Sequence, residues 1–400
     1  MRVLMLSWEY PPHVVGGLGK HVADLVPALG RQGVEVHLLT PRWAGGPPEE
    51  PLEAGGRVYR LDPPPDTQGE DIHTTAWKTN LALEEKAHAL WEALGGFDLI
   101  HVHDWLVAFA GGALKHGYKT PLLATIHATE RGRGRGHLGS PVAQAIDRTE
   151  WWLTYEAWRV ICCSEFMKGE IRAYFQVPED KMDVIPNGVN LPPELPGGRE
   201  ALRHYRAMYA LPEERIVVSV GRMVVEKGMH ILLAAVPRIL AAFPSAKFVL
   251  VGKGPMLDKL RQRAWELGVA EKVLFTGFIP DEERDRLYRL ADCAVFPSLY
   301  EPFGIVALEA MAFRCPVVVS DVGGLREVVI HGETGITTYA GNPESLAWGI
   351  VHTLTHPEWT AQRVEAAYQR VRTEFNWDRI AQRTAAVYQR VVEERRRTPW

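Results

Sequence analysis

Two patterns of hydrophobic and polar positions alternate along the chain. Short continuous apolar runs, typical of strands buried on both faces, are followed by longer stretches in which apolar residues recur every three or four positions, as in amphipathic helices. At the start, "RVLMLS" predicts a strand, "GGLGKHVADLVPALGRQG" predicts a helix with Val22, Leu25, Val26 and Leu29 on one face, and "VEVHLLT" predicts a second strand. This order predicts a βαβ unit with parallel strands.

The strand–helix alternation occurs in both halves of the chain. The first half has further predicted strands in "FDLIHVH", "TPLLATIH", "RVICCS" and "MDVIP", and the second half has them in "RIVVSVG", "AKFVLVG", "KVLFTG", "CAVFPS" and "PVVVS". Between the halves, "NGVNLPPELPGG" has the composition of a linker. We predict an α/β protein with two Rossmann-like domains, residues 1–190 and 191–375, and a C-terminal helix, residues 376–400, that packs back on the first domain.

Two segments of the first half do not fit the alternation. Residues 41–71 are rich in Pro and Gly, and residues 129–141 are rich in Gly and Arg. Both are longer than the tight connections of an α/β domain, so they predict mobile surface loops. Open α/β sheets bind ligands beyond the carboxyl ends of their strands, so a cleft between the two domains is the expected ligand site.

Composition excludes several classes of protein. The 400 residues are 46% hydrophobic and 24% charged, as in soluble globular chains, and the net charge of -4 gives no reason to expect nucleic acid as a partner. Residues 1–190 carry 18 Lys and Arg against 24 Asp and Glu, a net charge of -6, which makes membrane association unlikely. The four cysteines have no CxxC spacing and no signal-peptide cleavage site follows the N-terminus, so we expect a cytoplasmic protein with reduced cysteines.

The segment "SLYEPFGIVALEAMA", residues 298–312, carries two glutamates in an apolar run. Between Phe303 and Phe313 the only charged residue is Glu309, and Glu301 lies just before the predicted helix. Burying a carboxylate without a partner costs several kcal/mol. Glu309 must therefore meet either a buried Arg or Lys or the hydroxyl groups of a ligand, and the segment alone leaves both possibilities open.

Polar side chains are concentrated where the predicted strands end. In the first half these residues are Glu9, His103, Asp104, His127, Ser164 and Asn187, and in the second half they are Arg222 and Lys227. A single histidine after a strand is more often a hydrogen-bonded structural residue than a catalyst. The "HVHD" stretch has few further ligands nearby in the sequence, so we predict no metal site.

Two glycine-containing turns precede predicted helices. Gly16 and Gly17 in "GGLG" follow the first strand, and Gly304 in "PFGIV" opens the helix with Glu309. Each turn is either a simple tight turn or an anion site, where backbone N–H groups meet a phosphate at the positive end of a helix. Arg222 and Lys227 would complete such a site for a diphosphate, or they are solvated charges near a helix start.

These motifs, in this order, resemble the retaining GT-B glycosyltransferases of family four, which include bacterial glycogen synthase-like α-glucosyltransferases. The resemblance covers nearly the whole chain. It rests on "SWEYPPHVVGGLGKHVADLVPAL", "HVHDWLVA", "ATIHATE", "VIPNGVN", "GRMVVEKG", "PSLYEPFGIVALEAMA" and "SDVGGLREVV", and most specifically on the two glutamates separated by seven residues. It implies the GT-B fold, in which two Rossmann-like domains face each other across a cleft.

The resemblance also implies roles for individual residues. Glu301 would hold donor-sugar hydroxyls and Glu309 the ribose hydroxyls, while Arg222 and Lys227 would stabilise the leaving diphosphate. Backbone N–H groups would assist them, near Gly16 and Gly17 in the first domain and at Gly304, Ile305 and Val306 in the second. His127 would lie beside the transferred sugar and Asp104 near the reacting hydroxyls. Phe278 would stack against the nucleobase. Related plant-type glycogen synthases carry a Lys two residues before their Gly-Gly, where this chain has Val14. Lys20, His21 or no residue would take its role.

The function implied is retaining transfer of glucose from ADP- or UDP-glucose to an α-glucan, with an α-1,4 product and without a metal or other cofactor. A small sugar phosphate could be the acceptor instead, as in maltose-phosphate or sucrose-phosphate synthesis. Arg131 to Arg135 would then bind the acceptor phosphate, whereas Trp105, Trp151 and Trp152 would suit stacking along a glucan. A non-catalytic sugar-nucleotide sensor or a GT-B epimerase would also be compatible with these motifs.

Overall fold

The chain forms two compact α/β units. The structure, a computed structural model, describes residues 1–53, 55–67 and 69–399, and for residue 199 the backbone alone. One unit comprises residues 1–188 with the C-terminal segment from Trp377, and the other comprises Val189–Asn376. Each unit has a largely parallel sheet with helices between its strands, which confirms the predicted fold class of two Rossmann-like domains.

In the described part of the first unit, eight strands form one sheet in the order β3-β4-β2-β1-β5-β6-β7-β8. The strands are β1 (Arg2–Ser7), β2 (Glu35–Pro41), β3 (Glu49–Pro51), β4 (Gly56–Leu61), β5 (Leu99–His103), β6 (Leu122–Ile126), β7 (Arg159–Cys162) and β8 (Met182–Val184). The helices are α1 (Gly17–Arg31), α2 (Ile72–Leu94), α3 (Ala108–Tyr118), α4 (Glu130–Arg133), α5 (Pro141–Glu156) and α6 (Glu165–Phe175). The pair β3–β4 is antiparallel, and the other pairs are parallel.

The second unit has a six-stranded parallel sheet in the order β11-β10-β9-β12-β13-β14. Its strands are β9 (Arg215–Val220), β10 (Ala246–Val251), β11 (Val273–Gly277), β12 (Cys293–Phe296), β13 (Val317–Ser320) and β14 (Ile336–Thr338). Its helices are α7 (Arg203–Arg206), α8 (Met229–Ala242), α9 (Leu257–Glu266), α10 (Asp281–Leu290), α11 (Ile305–Ala312), α12 (Leu325–Val328), α13 (Pro343–Thr355) and α14 (Pro357–Glu374). The last helix of the chain, α15 (Trp377–Arg397), belongs to the first unit.

Helix α15 completes the core of the first unit. Its residues Ile380, Tyr388 and Val391 are fully buried in the same apolar cluster as Val22 and Leu25 of α1. The amphipathic pattern of the C-terminal segment is thus explained by burial against α1. Among the described residues, no helix combines the length and the apolar character that crossing a bilayer requires.

Both segments predicted as plain loops contain regular structure. Within residues 41–71, β4 pairs with β2 and buries Val58 and Tyr59, and β3 adds the sheet's antiparallel edge. Within residues 129–141, α4 begins where the Thr129 side chain accepts a hydrogen bond from the Gly132 N–H. The loop predictions were wrong because these elements are short and are flanked by Pro and Gly, so their hydrophobic patterns were not recognised. Positions 54 and 68 of the first segment lie outside the described residues.

The strand order defines where each unit can bind a ligand. In the first sheet, β1 lies between β2 and β5, so the connections that leave β1 and β5 diverge to opposite sides. In the second sheet, β9 lies between β10 and β12 in the same way. Ligands of doubly wound sheets bind beyond the carboxyl ends of such strands. The candidate residues should therefore follow β1 and β5 in one unit and β9 and β12 in the other.

Candidate functional site

At the divergence point of the second unit, two predicted residues contact each other. Lys227, in a single 3-10 turn after β9, donates from Nζ to Oε2 of Glu301, which follows β12, over 2.6 Å. The Ser298 hydroxyl donates to the same oxygen over 3.2 Å. The Lys227 and Glu301 side chains are 20% and 9% exposed. The structure thus forms a half-buried ion pair from two residues that the sequence predicted to be catalytic.

Backbone contacts keep the two connections together. The N–H of Leu299 donates to the carbonyl of Glu226 over 2.7 Å, which ties the segment after β12 to the turn before Lys227. Gly228 ends that turn with φ of 66°, and a Cβ at this position would collide with the Pro297 carbonyl. A glycine is therefore required for the close approach that brings Lys227 to Glu301.

Arg222 occupies a more open position than Lys227. Its side chain is 48% exposed, and its guanidinium contacts Glu226 at 3.4 Å. An exposed pair at this distance contributes little, about 0 to 1 kcal/mol. Arg222 can therefore exchange this contact for an anionic ligand at small cost.

Helix α11, whose start was predicted to bind a phosphate, begins directly after a glycine, as the sequence predicted. Gly304 has φ of 107° and precedes α11, and a Cβ there would clash with the Leu325 side chain. The first backbone N–H groups of a helix, here near Ile305 and Val306, have no acceptor within the helix. Phe278, predicted to stack on a nucleobase, follows β11 and is 67% exposed.

Glu309 is buried within α11, at 4% exposure, and approaches a cation. Its Oε2 lies 3.9 Å from Nε of Arg284, beyond hydrogen-bonding distance. Arg284 donates closer bonds to Asp281, at 2.7 Å, and Asp285, at 2.8 Å. Burial lowers the pKa of Arg284, but the neighbouring charges, Glu309 first among them, outweigh burial and raise this pKa overall. Glu309 therefore has a cation nearby without being its closest partner.

In the first unit, backbone N–H groups of the glycine turn before α1 already donate hydrogen bonds to a carboxylate of the protein. Oε2 of Glu9 accepts the N–H groups of Val15, at 2.8 Å, and Gly16, at 3.1 Å. Gly17 is the first residue of α1. A Cβ at Gly19 would lie 2.8 Å from the same oxygen, so this side of the helix start has little room. Glu9 thus takes the N–H of Gly16 that the sequence assigned to a phosphate.

Asp104 follows β5 in an uncommon conformation. Its φ of 62° lies in the left-handed region, and its Oδ1 accepts the His127 N–H over 2.6 Å. Burial raises the pKa of this carboxyl to about 7, although the charge of Arg133 and the His127 N–H partly oppose the increase. A strained, buried carboxyl that titrates near neutrality is typical of functional sites.

Three imidazoles lie together beside Asp104. His103 Nδ1 and His127 Nε2 are 3.1 Å apart, and Nδ1 of His21 in α1 is 2.6 Å from Oδ1 of Asn187. Burial lowers the pKa of His21 to about 4 and holds the pKa values of His103 and His127 well below 6.5, so all three rings are neutral at pH 7. The sequence predicted a role for His21 only as a possible replacement for the missing Lys, because no local pattern shows that α1 lies beside the ends of β5 and β6.

The aromatic residues proposed for glucan stacking differ in exposure. Trp105 is 4% exposed and stacks on His73, and Trp152 is half-buried against Phe109. Trp151, on α5, is 48% exposed and stacks on the exposed Tyr155 with a centroid distance of 5.6 Å. Of the three tryptophans, Trp151 offers a face to a ligand.

Arg131, at the start of the arginine-rich stretch, is engaged within the protein. Its guanidinium forms two hydrogen bonds to the Asp147 carboxylate, one from Nε at 3.0 Å and one from Nη2. It also lies over the Tyr174 ring, 5.1 Å from the ring centroid. Two of the five guanidinium N–H groups of Arg131 are therefore already used within the protein.

Comparison with known proteins defines the class. The Glycosyltransferase Family 4 model matches residues 15–192, and the Glycosyl transferases group 1 model matches residues 204–370. The chain is 39% identical to an uncharacterized glycosyltransferase from Methanocaldococcus jannaschii, over 95% of this chain and 96% of the relative. It is 36% identical to the glycogen synthase of Mycobacterium tuberculosis, over 95% and 92%.

A solved structure agrees with this class. Sucrose-phosphate synthase from Thermosynechococcus elongatus matches with a TM-score of 0.83 and 28% identity, over 98% of this chain and 99% of that chain. The two sheets and these matches define a glycosyltransferase with two Rossmann-like units. The chain belongs to the GT-B glycosyltransferases of family four.

Proposed function

We propose that this protein is a retaining transferase that moves glucose from a nucleoside diphosphate glucose to an α-glucan and forms an α-1,4 linkage. The observation that carries the proposal is the Lys227–Glu301 ion pair, which stands just before the α11 helix that holds Glu309. Such a site offers a cation and helix N–H groups to a diphosphate and carboxylates to sugar hydroxyls. The 36% identity to a relative named glycogen synthase supports glucose and a glucan as the substrates.

The residues of the second unit bind the donor and stabilise its leaving group. Lys227 and Arg222 meet the charge that develops on the diphosphate as the sugar departs, and the N–H groups of Gly304, Ile305 and Val306 add their dipoles. Glu301 accepts hydrogen bonds from hexose hydroxyls and also holds the Lys227 ammonium in position.

Two further residues of this unit bind the rest of the nucleotide. Glu309 accepts hydrogen bonds from the ribose hydroxyls, and the exposed Phe278 ring stacks on the base. Glu301 lies four residues before the start of α11 and Glu309 lies within this helix, so the two carboxylates are placed one after the other along the segment that we propose binds the donor.

In the first unit, His127 and Asp104 contact the transferred sugar and the reacting hydroxyls. A neutral His127 imidazole can donate or accept a hydrogen bond with a hydroxyl. Asp104, with a pKa of about 7, is available both as a carboxylate and as a carboxylic acid at neutral pH. The proposal assigns no covalent nucleophile and no metal, because catalysis rests on cations and dipoles around the leaving diphosphate.

A small sugar phosphate is the second candidate acceptor, supported by the similarity to sucrose-phosphate synthase. Its predicted phosphate site is residues 131–135, of which Arg131 already contacts Asp147 and Tyr174. The exposed Trp151–Tyr155 pair instead offers a surface on which a sugar ring can stack.

A donor-by-acceptor activity matrix tests the function. ADP-glucose and UDP-glucose are each combined with glycogen, maltotriose, glucose 1-phosphate and fructose 6-phosphate, and release of nucleoside diphosphate is measured. We expect release that depends on a glucan, with a product that α-1,4-specific digestion removes. Release with a sugar phosphate alone would favour the second candidate, and release or conversion with no acceptor would contradict both.

A further inference from the structure

Among the described residues, the three imidazoles of His21, His103 and His127 can offer one nitrogen each within 4.8 Å of one another. His21 comes from α1, His103 ends β5, and His127 follows β6. The three rings also touch, with centroid distances of 4.8 to 5.5 Å. The proposed transfer reaction uses His127 and assigns nothing to His21 or His103.

The surroundings of His21 are those of a metal ligand. Oδ1 of Asn187 can only accept a hydrogen bond, so Nδ1 of His21 carries the hydrogen and Nε2 presents its lone pair. Nε2 is buried and has no hydrogen-bond partner in the described part of the chain, and the His21 residue is 5% exposed. Histidines that ligate metals almost always donate their second nitrogen in this way to an oxygen, which fixes the tautomer.

His103 and His127 already have nearly the spacing of two metal ligands. His103 Nδ1 and His127 Nε2 are 3.1 Å apart, whereas two nitrogens on a tetrahedral zinc ion, at bond lengths of ~2.05 Å, are about 3.3 Å apart.

We propose that His21, His103 and His127 form an inhibitory binding site for a divalent transition-metal ion such as Zn²⁺. Three imidazole ligands leave a fourth position for water, and closing the trio from 4.8 Å to the tetrahedral spacing requires ring movements of about 1.5 Å. Imidazole ligands favour Zn²⁺, Co²⁺, Ni²⁺ and Cu²⁺ over Mg²⁺ and Ca²⁺, which prefer oxygen. The metal is not a cofactor: it binds the His127 imidazole to which the proposed function assigns the transferred sugar, and this inhibition rests on the proposed function.

Metal binding is tested on the full chain without any substrate. Isothermal titration with Zn²⁺, and the visible absorption of added Co²⁺, compare the wild type with His21→Gln and with His116→Gln. His116 is the matched control, because its imidazole is 55% exposed and contacts Glu156 elsewhere in the same unit. We expect one tight site in the wild type and the control, and at least ~10- to 100-fold weaker binding in His21→Gln.

Equal Zn²⁺ affinity in His21→Gln and the wild type, or no wild-type site, would overturn the proposal. Thermal unfolding with and without Zn²⁺ checks the fold of each variant, because a metal that binds the native state raises the melting temperature. Should His21→Gln fail to fold, Asn187→Leu is the second variant: it removes the hydrogen-bond acceptor that sets the His21 tautomer, and weaker Zn²⁺ binding is again expected. Mg²⁺ should produce no comparable heat in any of these proteins.

Inhibition is measured separately as glucosyl transfer at increasing free Zn²⁺. We expect the wild type and His116→Gln to lose activity over the concentration range in which Zn²⁺ binds, and His21→Gln to retain its own basal rate. Equal Zn²⁺ sensitivity of His21→Gln would refute the inhibitory role. A protein with no transferase activity would refute the proposed function, and the Zn²⁺ titration would still decide whether the metal site exists.

Discussion

Replacing Asp104 with Asn tests whether this buried carboxyl keeps its proton near neutral pH. Asp104 is 4% exposed, and burial raises its pKa from 3.8 to about 7. Asn retains the oxygen that accepts the His127 N–H and tolerates a positive φ, as Asp does. The variant therefore removes the ionisation and leaves the backbone geometry in place.

The pKa shift sets the sign and the size of the effect. Because the pKa is higher in the folded protein, the stabilising contribution of the proton is complete below pH 3.8 and is lost as the pH rises through about 7. The whole difference corresponds to about 4 kcal/mol, of which roughly 3 kcal/mol is lost between pH 5 and pH 8. Asp104→Asn escapes this loss, so its stability relative to the wild type should increase with pH.

Urea unfolding at pH 5 and pH 8 measures this difference. We expect the free energy of unfolding of Asp104→Asn, minus that of the wild type, to rise by roughly 3 kcal/mol from pH 5 to pH 8. Asp258→Asn, where the side chain is 94% exposed, is the control for carboxyl removal at the surface. A difference for Asp104→Asn that stays constant with pH would show that the Asp104 pKa is not raised, and the reasoning from burial would fail.

Three further predictions concern the donor site. Lys227→Ala should lower kcat by ~10²-fold or more, because the leaving diphosphate loses a preorganised cation; an unchanged kcat in steady-state assays would remove Lys227 from the mechanism. Glu301→Gln should mainly lower kcat and Glu309→Gln should mainly raise the donor KM, by roughly 10- to 150-fold each. A Glu309→Gln protein with a lower Tm and a normal donor KM would show that Glu309 stabilises the fold through Arg284 and does not bind the donor. Transfer should persist or increase in excess EDTA, and a complete loss that added Mg²⁺ or Mn²⁺ restores would contradict the metal-free mechanism.

The sequence predicts local features of the site well. Apolar runs and helical periodicity give the parallel strands, and polar residues after them identify Lys227, Glu301 and Asp104 as neighbours of strand ends. Gly304 is predicted at the start of α11 and is found there with a positive φ. These predictions succeed because they depend on residues close together in the chain.

Contacts between distant residues could not be predicted in the same way. Lys227 and Glu301 are separated by 74 positions and His21 and Asn187 by 166, so their pairing depends on strand order, which periodicity does not determine. The Arg284 guanidinium near Glu309 likewise comes from a different helix, α10. The sequence alone therefore could not show that a buried arginine lies near Glu309.

The central claim is that glucose is transferred with retention to form an α-1,4 linkage. Proton NMR of the product formed from nucleoside diphosphate α-glucose and maltotriose tests it most directly, because the anomeric proton of the newly formed glycosidic linkage reports the configuration of that linkage. We predict an α-anomeric signal on a tetrasaccharide that α-1,4-specific digestion returns to smaller sugars. A β-anomeric signal from the new linkage, as distinct from the reducing end, or a product that resists this digestion, would contradict retaining α-1,4 transfer.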